Sequence, residues 1–143
     1  MRPSFDEYFL SIADTVSTRS TCKRRNVGCV ITKDNRIIAT GYNGAPEGFE
    51  HCDFCIKQKN NLPHGSSHEL CRAVHAEQNA ITQCAKLGIP TEGTTVYITH
   101  QPCSICSRLI ASSGVNRVVY KNDYPDDISL KILDEAGISY EKL

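Results

Sequence analysis

The sequence predicts an α/β protein of three layers, α/β/α, with a central mixed five-stranded sheet. Two observations carry this. Helical and strand-like segments follow one another in the order α-β-β-α-β-α-β-α-β, which suits a mixed sheet with helices on both faces. Composition is that of an ordinary globular chain: 143 residues, 40% hydrophobic and 22% charged, long enough to bury a core without staples. No internal repeat, low-complexity tract or linker interrupts it, so residues 1–143 read as a single domain.

Ser4 and Glu7 form an S-x-x-E capping box. Behind it Phe5, Phe9, Ile12, Ala13 and Val16 recur at helical spacing, predicting a first helix that ends near Ser20. Val27 to Ile31 and Arg36 to Thr40 are short runs with β-branched residues, and Lys33-Asp34-Asn35 between them is turn chemistry, which predicts a hairpin. Gly41-Tyr42-Asn43-Gly44-Ala45-Pro46 leaves the second strand as a loop. A polar, aperiodic, Cys/His-bearing insert occupies about 47–71; loops of this length inside a domain are usually functional or metal-organised. Ala76, Ala80, Ile81, Cys84 and Leu87 then line a helix starting at about Ala73 and stopped by Gly88. Thr94 to Thr99 reads as a strand. Pro102 opens a helix bearing Ile105, Leu109 and Ile110, closed by Gly114. Val115 to Tyr120 is a further strand, Ile128 to Ala136 a last helix, and Ile138 to Tyr140 a short final strand.

Sixteen basic and sixteen acidic residues cancel. This disfavours a nucleic-acid partner, whose binders are usually basic, and leaves room for a small anion held by local cations. No apolar run approaches the ~18 residues of a membrane span, so no membrane association is expected, and Met1-Arg2-Pro3-Ser4-Phe5-Asp6 lacks a signal-peptide pattern. A cytoplasmic setting is expected, where thiols stay reduced. Eight cysteines then call for metal ligation or plain burial.

His75-Ala76-Glu77 and Pro102-Cys103-Ser104-Ile105-Cys106 carry the strongest chemistry. Cys103 and Cys106, at i and i+3, share one face of a helical first turn, where thiolates are favoured. His75 offers one imidazole nitrogen. Three N, S and S ligands leave a tetrahedral position open, the pattern of a catalytic rather than a structural zinc. Glu77 follows two residues after His75 and suits a non-ligand proton carrier. H-x-E…P-C-x-x-C is the signature of zinc deaminases.

At these residues the chain resembles the deoxycytidylate (dCMP) deaminase family, within the zinc-dependent cytidine deaminase superfamily. The likeness spans nearly the whole chain, through Arg19-Ser20-Thr21-Cys22, Gly41-Tyr42-Asn43-Gly44, the insert, His75-Ala76-Glu77-Gln78-Asn79-Ala80-Ile81, Thr99-His100-Gln101-Pro102-Cys103 and Asp134-Glu135-Ala136-Gly137. The resemblance implies a cytidine deaminase-like fold and zinc-dependent conversion of dCMP to dUMP and ammonia, which supplies dUMP for thymidylate synthesis. It also implies a homohexamer regulated by dCTP and dTTP. Glu77 is then expected to carry protons between water, ring N3 and the leaving ammonia, and the backbone N–H of Ala76 to hold the carbonyl O2. Asn43 is expected on the deoxyribose and Tyr124 stacked on the base. Arg24, Arg25 and Lys86 are candidates for the 5′-phosphate, Lys86 through a family position tied to nucleotide contacts or regulation. Members with such an insert often carry a second, structural zinc; Cys22 and Cys52 match its positions, His68 and Cys71 are completing ligands, and Cys55 is an alternative to one of them, with His51 and His64 nearby. Cys29 and Cys84 are expected in the core. Two other readings remain: a tRNA adenosine deaminase, which shares the zinc motif, and a non-catalytic zinc-containing nucleotide-binding module.

Overall fold

The hairpin predicted around Asp34-Asn35 forms one side of the sheet. In the computed structural model, which describes residues 1–63, 66 and 68–143, strands β1 (Gly28–Lys33) and β2 (Arg36–Tyr42) pair antiparallel. Asp34 and Asn35 adopt φ of 50° and 60°, the left-handed values that a two-residue hairpin turn requires and that Asp and Asn tolerate. β3 (Thr95–His100) pairs antiparallel with β1, and β4 (Arg117–Asn122) and β5 (Ser139–Lys142) follow in parallel. The five-stranded sheet has the order β2-β1-β3-β4-β5.

Strand alternation sorts the core into two layers. Val30, Tyr97 and Val119 point to one face, where α1 (Phe5–Ser17) supplies Phe9, Leu10 and Ala13. Their neighbours Cys29, Ile31, Val96, Ile98, Val118 and Tyr120 point to the other. That face is covered by Ala76, Ala80, Ile81 and Cys84 of α3 (Ala76–Leu87), Ile110 of α4 (Ser104–Ser112) and Leu133 of α5 (Ser129–Glu135). The expected three-layer mixed α/β architecture is therefore observed. Cys29 and Cys84 are fully buried in it, as expected.

Several element ends differ from the periodicity. α1 stops at Ser17 because Thr18 and Ser20 turn to other partners: the Thr18 hydroxyl donates to the Thr15 carbonyl and the Ser20 hydroxyl to the Asn43 carbonyl. α3 starts at Ala76, not Ala73, because Val74 is held in an isolated antiparallel bridge to Gly44. The helix after Pro102 begins at Ser104, with Cys103 as its N-cap. The insert is not structureless. It carries a one-turn helix α2 (Ile56–Lys59) and a 3-10 turn at His68–Leu70, both too short to leave a periodic signal. His64 lies outside the described residues.

Gly41 sets how closely α3 approaches the sheet. A Cβ there would collide with the Ala76 carbonyl and lie 2.6 Å from the Ala80 nitrogen. Both are helix backbone, so they yield only if the helix moves. Gly41→Ala is expected to cost about 1–3 kcal/mol and lower Tm by about 3–10 °C. Calorimetry checks this, and an unchanged Tm would contradict it.

On the opposite face α1 is tied down by charge. Arg117 donates to both carboxylate oxygens of Asp6 (2.8 and 2.7 Å), the Tyr97 hydroxyl donates to the same carboxylate (2.9 Å), and Arg117 also reaches Glu141 (2.8 Å). The Arg117 guanidinium holds the Asp6 carboxyl below its usual range, with Tyr97 adding to the effect, against the opposing pull of burial. A carboxyl whose folded pKa is depressed stabilises the fold above its unfolded value and loses that contribution as pH falls through the folded one. Tm is therefore expected to drop as pH falls below about 4, the ordinary Asp value, with a shallower acid-side drop in Arg117→Met. An identical acid-side slope in the variant would contradict the assignment.

Candidate metal centre and active site

The N-termini of α3 and α4 meet at the end of the sheet where β3 reaches His100 and β1 begins, and they bring the sequence motif together. His75 is the N-cap of α3, and its backbone N–H donates to the Gln78 side chain (2.8 Å). Cys103 is the N-cap of α4 and Cys106 lies in its first turn. Asp126 fixes this second N-terminus: one carboxylate oxygen accepts from the Ser104 N–H (2.7 Å), while the other accepts from Ile128 and Ser129 at the start of α5 (3.2 and 3.1 Å). One short acidic side chain thus caps two helices.

His75 Nδ1 lies 3.2 Å from Cys106 Sγ and 3.5 Å from Cys103 Sγ. Tetrahedral zinc with one nitrogen and two sulfur ligands requires edges of about 3.5 Å between nitrogen and sulfur. The donor set fits that ion in type, number and spacing, and its three ligand atoms lie within 4.8 Å of one another. Its electrostatics agree. The Cys106 thiol and the His75 ring hold Cys103 down at about 4. Burial opposes charge on His75, yet the adjacent Cys103 and Glu77 raise its pKa above the ordinary value. The Cys103 thiolate is thus the negative group of the set and favours a cation, while the neighbouring Cys103 and burial push the Cys106 thiol up.

Glu77 is 4% exposed. Burial pushes its carboxyl up to about 7, against the opposing attraction of His75. It lies on the first turn of α3 against the Cys106 thiol and lines the same cavity as His75 and Cys103. A carboxyl tuned to near neutrality can both accept and return a proton. The Ala76 N–H is one of the first-turn donors that a helix leaves without an internal acceptor, and Ala76 also lines the cavity.

The remaining site residues fall into three groups. Asn43, Tyr124, Arg24 and Arg25 line the cavity. The Arg25 guanidinium sits 4.6 Å over the Tyr124 ring. The Asn43 amide is largely engaged in the scaffold: its oxygen accepts from the Val27 N–H and the Ser20 hydroxyl (2.8 and 2.5 Å), and its nitrogen donates to the Arg25 carbonyl (2.8 Å). One amide N–H remains for a ligand. Lys86, by contrast, does not reach the site. It lies in the last turn of α3 with a largely exposed side chain 3.9 Å from Glu47, because the site forms around the other end of that helix.

Cys22, Cys55, His68 and Cys71 also line the cavity, and Cys52 is close enough to feel the charges of Cys71, Cys22 and Cys55. Among the described residues these thiols do not converge to ligand spacing; only His75, Cys103 and Cys106 do. His68 leans toward the first centre, its ring centroid 5.3 Å from that of His75. Lys57 and Asp126 belong to no motif of the sequence. Lys57, buried at the cavity wall, sits in an aperiodic segment that gives no cue. Asp126 had a weak one, as the Asp of a turn just before a helix.

Comparison with known proteins agrees with this geometry. Residues 3–122 match the family described as the cytidine and deoxycytidylate deaminase zinc-binding region. The deoxycytidylate deaminase of Mycobacterium phage D29 is 45% identical over 127 residues, covering 85% of this chain and 98% of the phage protein. That of Saccharomyces cerevisiae is 38% identical over 140 residues, covering 97% of this chain and 45% of the yeast protein. The crystal structure of a dCMP deaminase from cyanophage S-TIM5, in complex with dCMP and dUMP, superposes with a TM-score of 0.86 at 33% identity, covering 100% of this chain and 99% of that one. Matched by the family model over residues 3–122 and by these relatives over 85% or more of its length, the chain belongs to the cytidine and deoxycytidylate deaminase family.

Proposed function

We propose that this chain, acting as one domain, hydrolyses dCMP to dUMP and ammonia and so supplies dUMP for thymidylate synthesis. The observation that carries the reading is the buried Glu77 carboxyl, pushed up to about 7, beside the converging His75, Cys103 and Cys106 donors. A zinc ion held by those three residues supplies Lewis-acid activation of water when bound. Glu77 takes a proton from the attacking water and delivers it to ring N3. A C4–O bond forms; Glu77 then takes the remaining proton from the new C4 hydroxyl and hands it to the amino group, so the C4–N4 bond breaks, ammonia leaves and the C4 carbonyl of dUMP remains. The Ala76 N–H holds O2, Tyr124 stacks on the base, the remaining Asn43 amide N–H meets the deoxyribose, and Arg24 faces the 5′-phosphate.

A second, structural zinc on Cys22, Cys52, His68 and Cys71, with Cys55 as an alternative to His68 or Cys71, is supported by the gathering of these residues around the insert. Two zinc ions per chain, falling to one in Cys22→Ser, is the expected result; one ion per chain, unchanged by Cys22→Ser, would contradict it. Hexamer formation and control by dCTP and dTTP are part of the same reading. A reducing, cytoplasmic setting suits eight free thiols; among the described residues no helix is long and apolar enough to cross a membrane.

Cytosine absorbance separates this reading from its rivals. Loss of absorbance with dCMP, and no inosine formed in a tRNA anticodon stem-loop, is expected. Reaction with the stem-loop alone would favour a tRNA adenosine deaminase, and inertness toward every substrate a binding module.

A further inference from the structure

We infer that Lys57, with Arg24, forms the cationic clamp that makes this site selective for a nucleoside 5′-monophosphate over the nucleoside. The inference rests on the proposed dCMP reaction and names a specificity-determining residue for it.

Lys57 lies on α2 and is 7% exposed. Lysines are almost never this buried unless paired. Among the described residues its ammonium has neither a carboxylate at ion-pair distance nor a hydrogen-bond partner. It lines the cavity that holds His75 and Glu77, and its charge is felt by both His68 and His75. Arg24 makes an independent case. Its Nη2 donates to the Leu62 carbonyl (2.9 Å), whereas Nε and Nη1 are buried without a partner. Leaving the two Arg24 donors unmet is costly, and Lys57 adds a cation on the same cavity wall without a carboxylate at ion-pair distance; together they suit a ligand that supplies oxygen acceptors and negative charge.

One scaffold positions the two cations. The Leu62 N–H donates to the Lys57 carbonyl (2.8 Å), and the Leu62 carbonyl accepts from Arg24. The turn after α2 therefore fixes Lys57 relative to Arg24. Glu77 is the only carboxylate among the described residues lining the cavity, so this wall carries net positive charge. A phosphate monoester dianion matches it, with oxygens for an unmet Arg24 N–H and for the lysine point charge. The insert thereby contributes to substrate recognition as well as to the cysteine cluster.

The test compares zinc-loaded wild type, Lys57→Met and Lys57→Arg on dCMP and deoxycytidine. In Lys57→Met the preference for dCMP, as a ratio of kcat/KM values, is expected to fall about 10- to 100-fold, carried by KM, and Lys57→Arg is expected to restore most of it. An unchanged preference in Lys57→Met, including equal loss on both substrates, would overturn the inference. If Lys57→Met does not fold, a crystal structure of the wild type with dUMP decides. Lys57 Nζ at hydrogen-bond distance from a phosphate oxygen is expected, and a phosphate bound away from Lys57 overturns the clamp. Calorimetric binding of dUMP against deoxyuridine needs no turnover. It therefore still tests Lys57 if wild type proves inactive on dCMP, a result that would refute the reaction instead.

Discussion

Glu77→Gln is expected to lower kcat on dCMP by about 10²- to 10⁴-fold, the range for removing a positioned general acid–base. KM should change little and the zinc content not at all, because Glu77 lies beside the donor set without belonging to it. Glutamine keeps the volume and one oxygen of the side chain, so packing against Cys106 and on the first turn of α3 survives. What is lost is a carboxyl that burial has tuned to about 7, close to the pH at which one group gives and takes a proton equally well. Steady-state kinetics with metal analysis checks this. A fully active Glu77→Gln would remove the proton carrier from the account, and a variant that loses its zinc would make Glu77 a ligand instead.

Loss of the metal has an effect at least as large. Cys106→Ser is expected to lose one zinc per chain and to reduce dCMP turnover to background. Chelation of the wild type should do the same, reversibly on adding zinc. The fold should survive both, since the sheet and its helices are held by apolar packing on two faces. Cys106 itself is fully buried, and serine nearly preserves its volume. Elemental analysis alongside circular dichroism separates the outcomes. Activity that persists after complete zinc removal would contradict a zinc-dependent reaction.

Much of this was readable in the sequence because short-range chemistry dictates it. The Ser4/Glu7 capping box, the Asp34-Asn35 turn and the Gly88 stop are local signals, and each is where the structure has it. The His-x-Glu and Pro-Cys-x-x-Cys motifs were equally legible, since their spacing places ligands at helix N-termini. Asn43 was named as a substrate residue, but only the structure shows most of its amide engaged with Arg25, Val27 and Ser20. Lys86 matches a family position tied to nucleotide contacts or regulation, yet its place in the last turn of α3 carries it away from a site built at the first. Lys57 and the Asp126 double cap depend on how distant segments pack, and no periodicity reports that. The insert hides its helix because one turn has no period to detect.

Isotopic tracing of the oxygen decides whether the reaction is hydrolytic. Zinc-loaded protein incubated with dCMP in ¹⁸O-enriched water is expected to yield dUMP carrying one solvent oxygen at C4, with one ammonia released per dUMP formed. Unchanged dCMP, or dUMP formed without solvent oxygen or without ammonia, would contradict hydrolytic deamination by this chain.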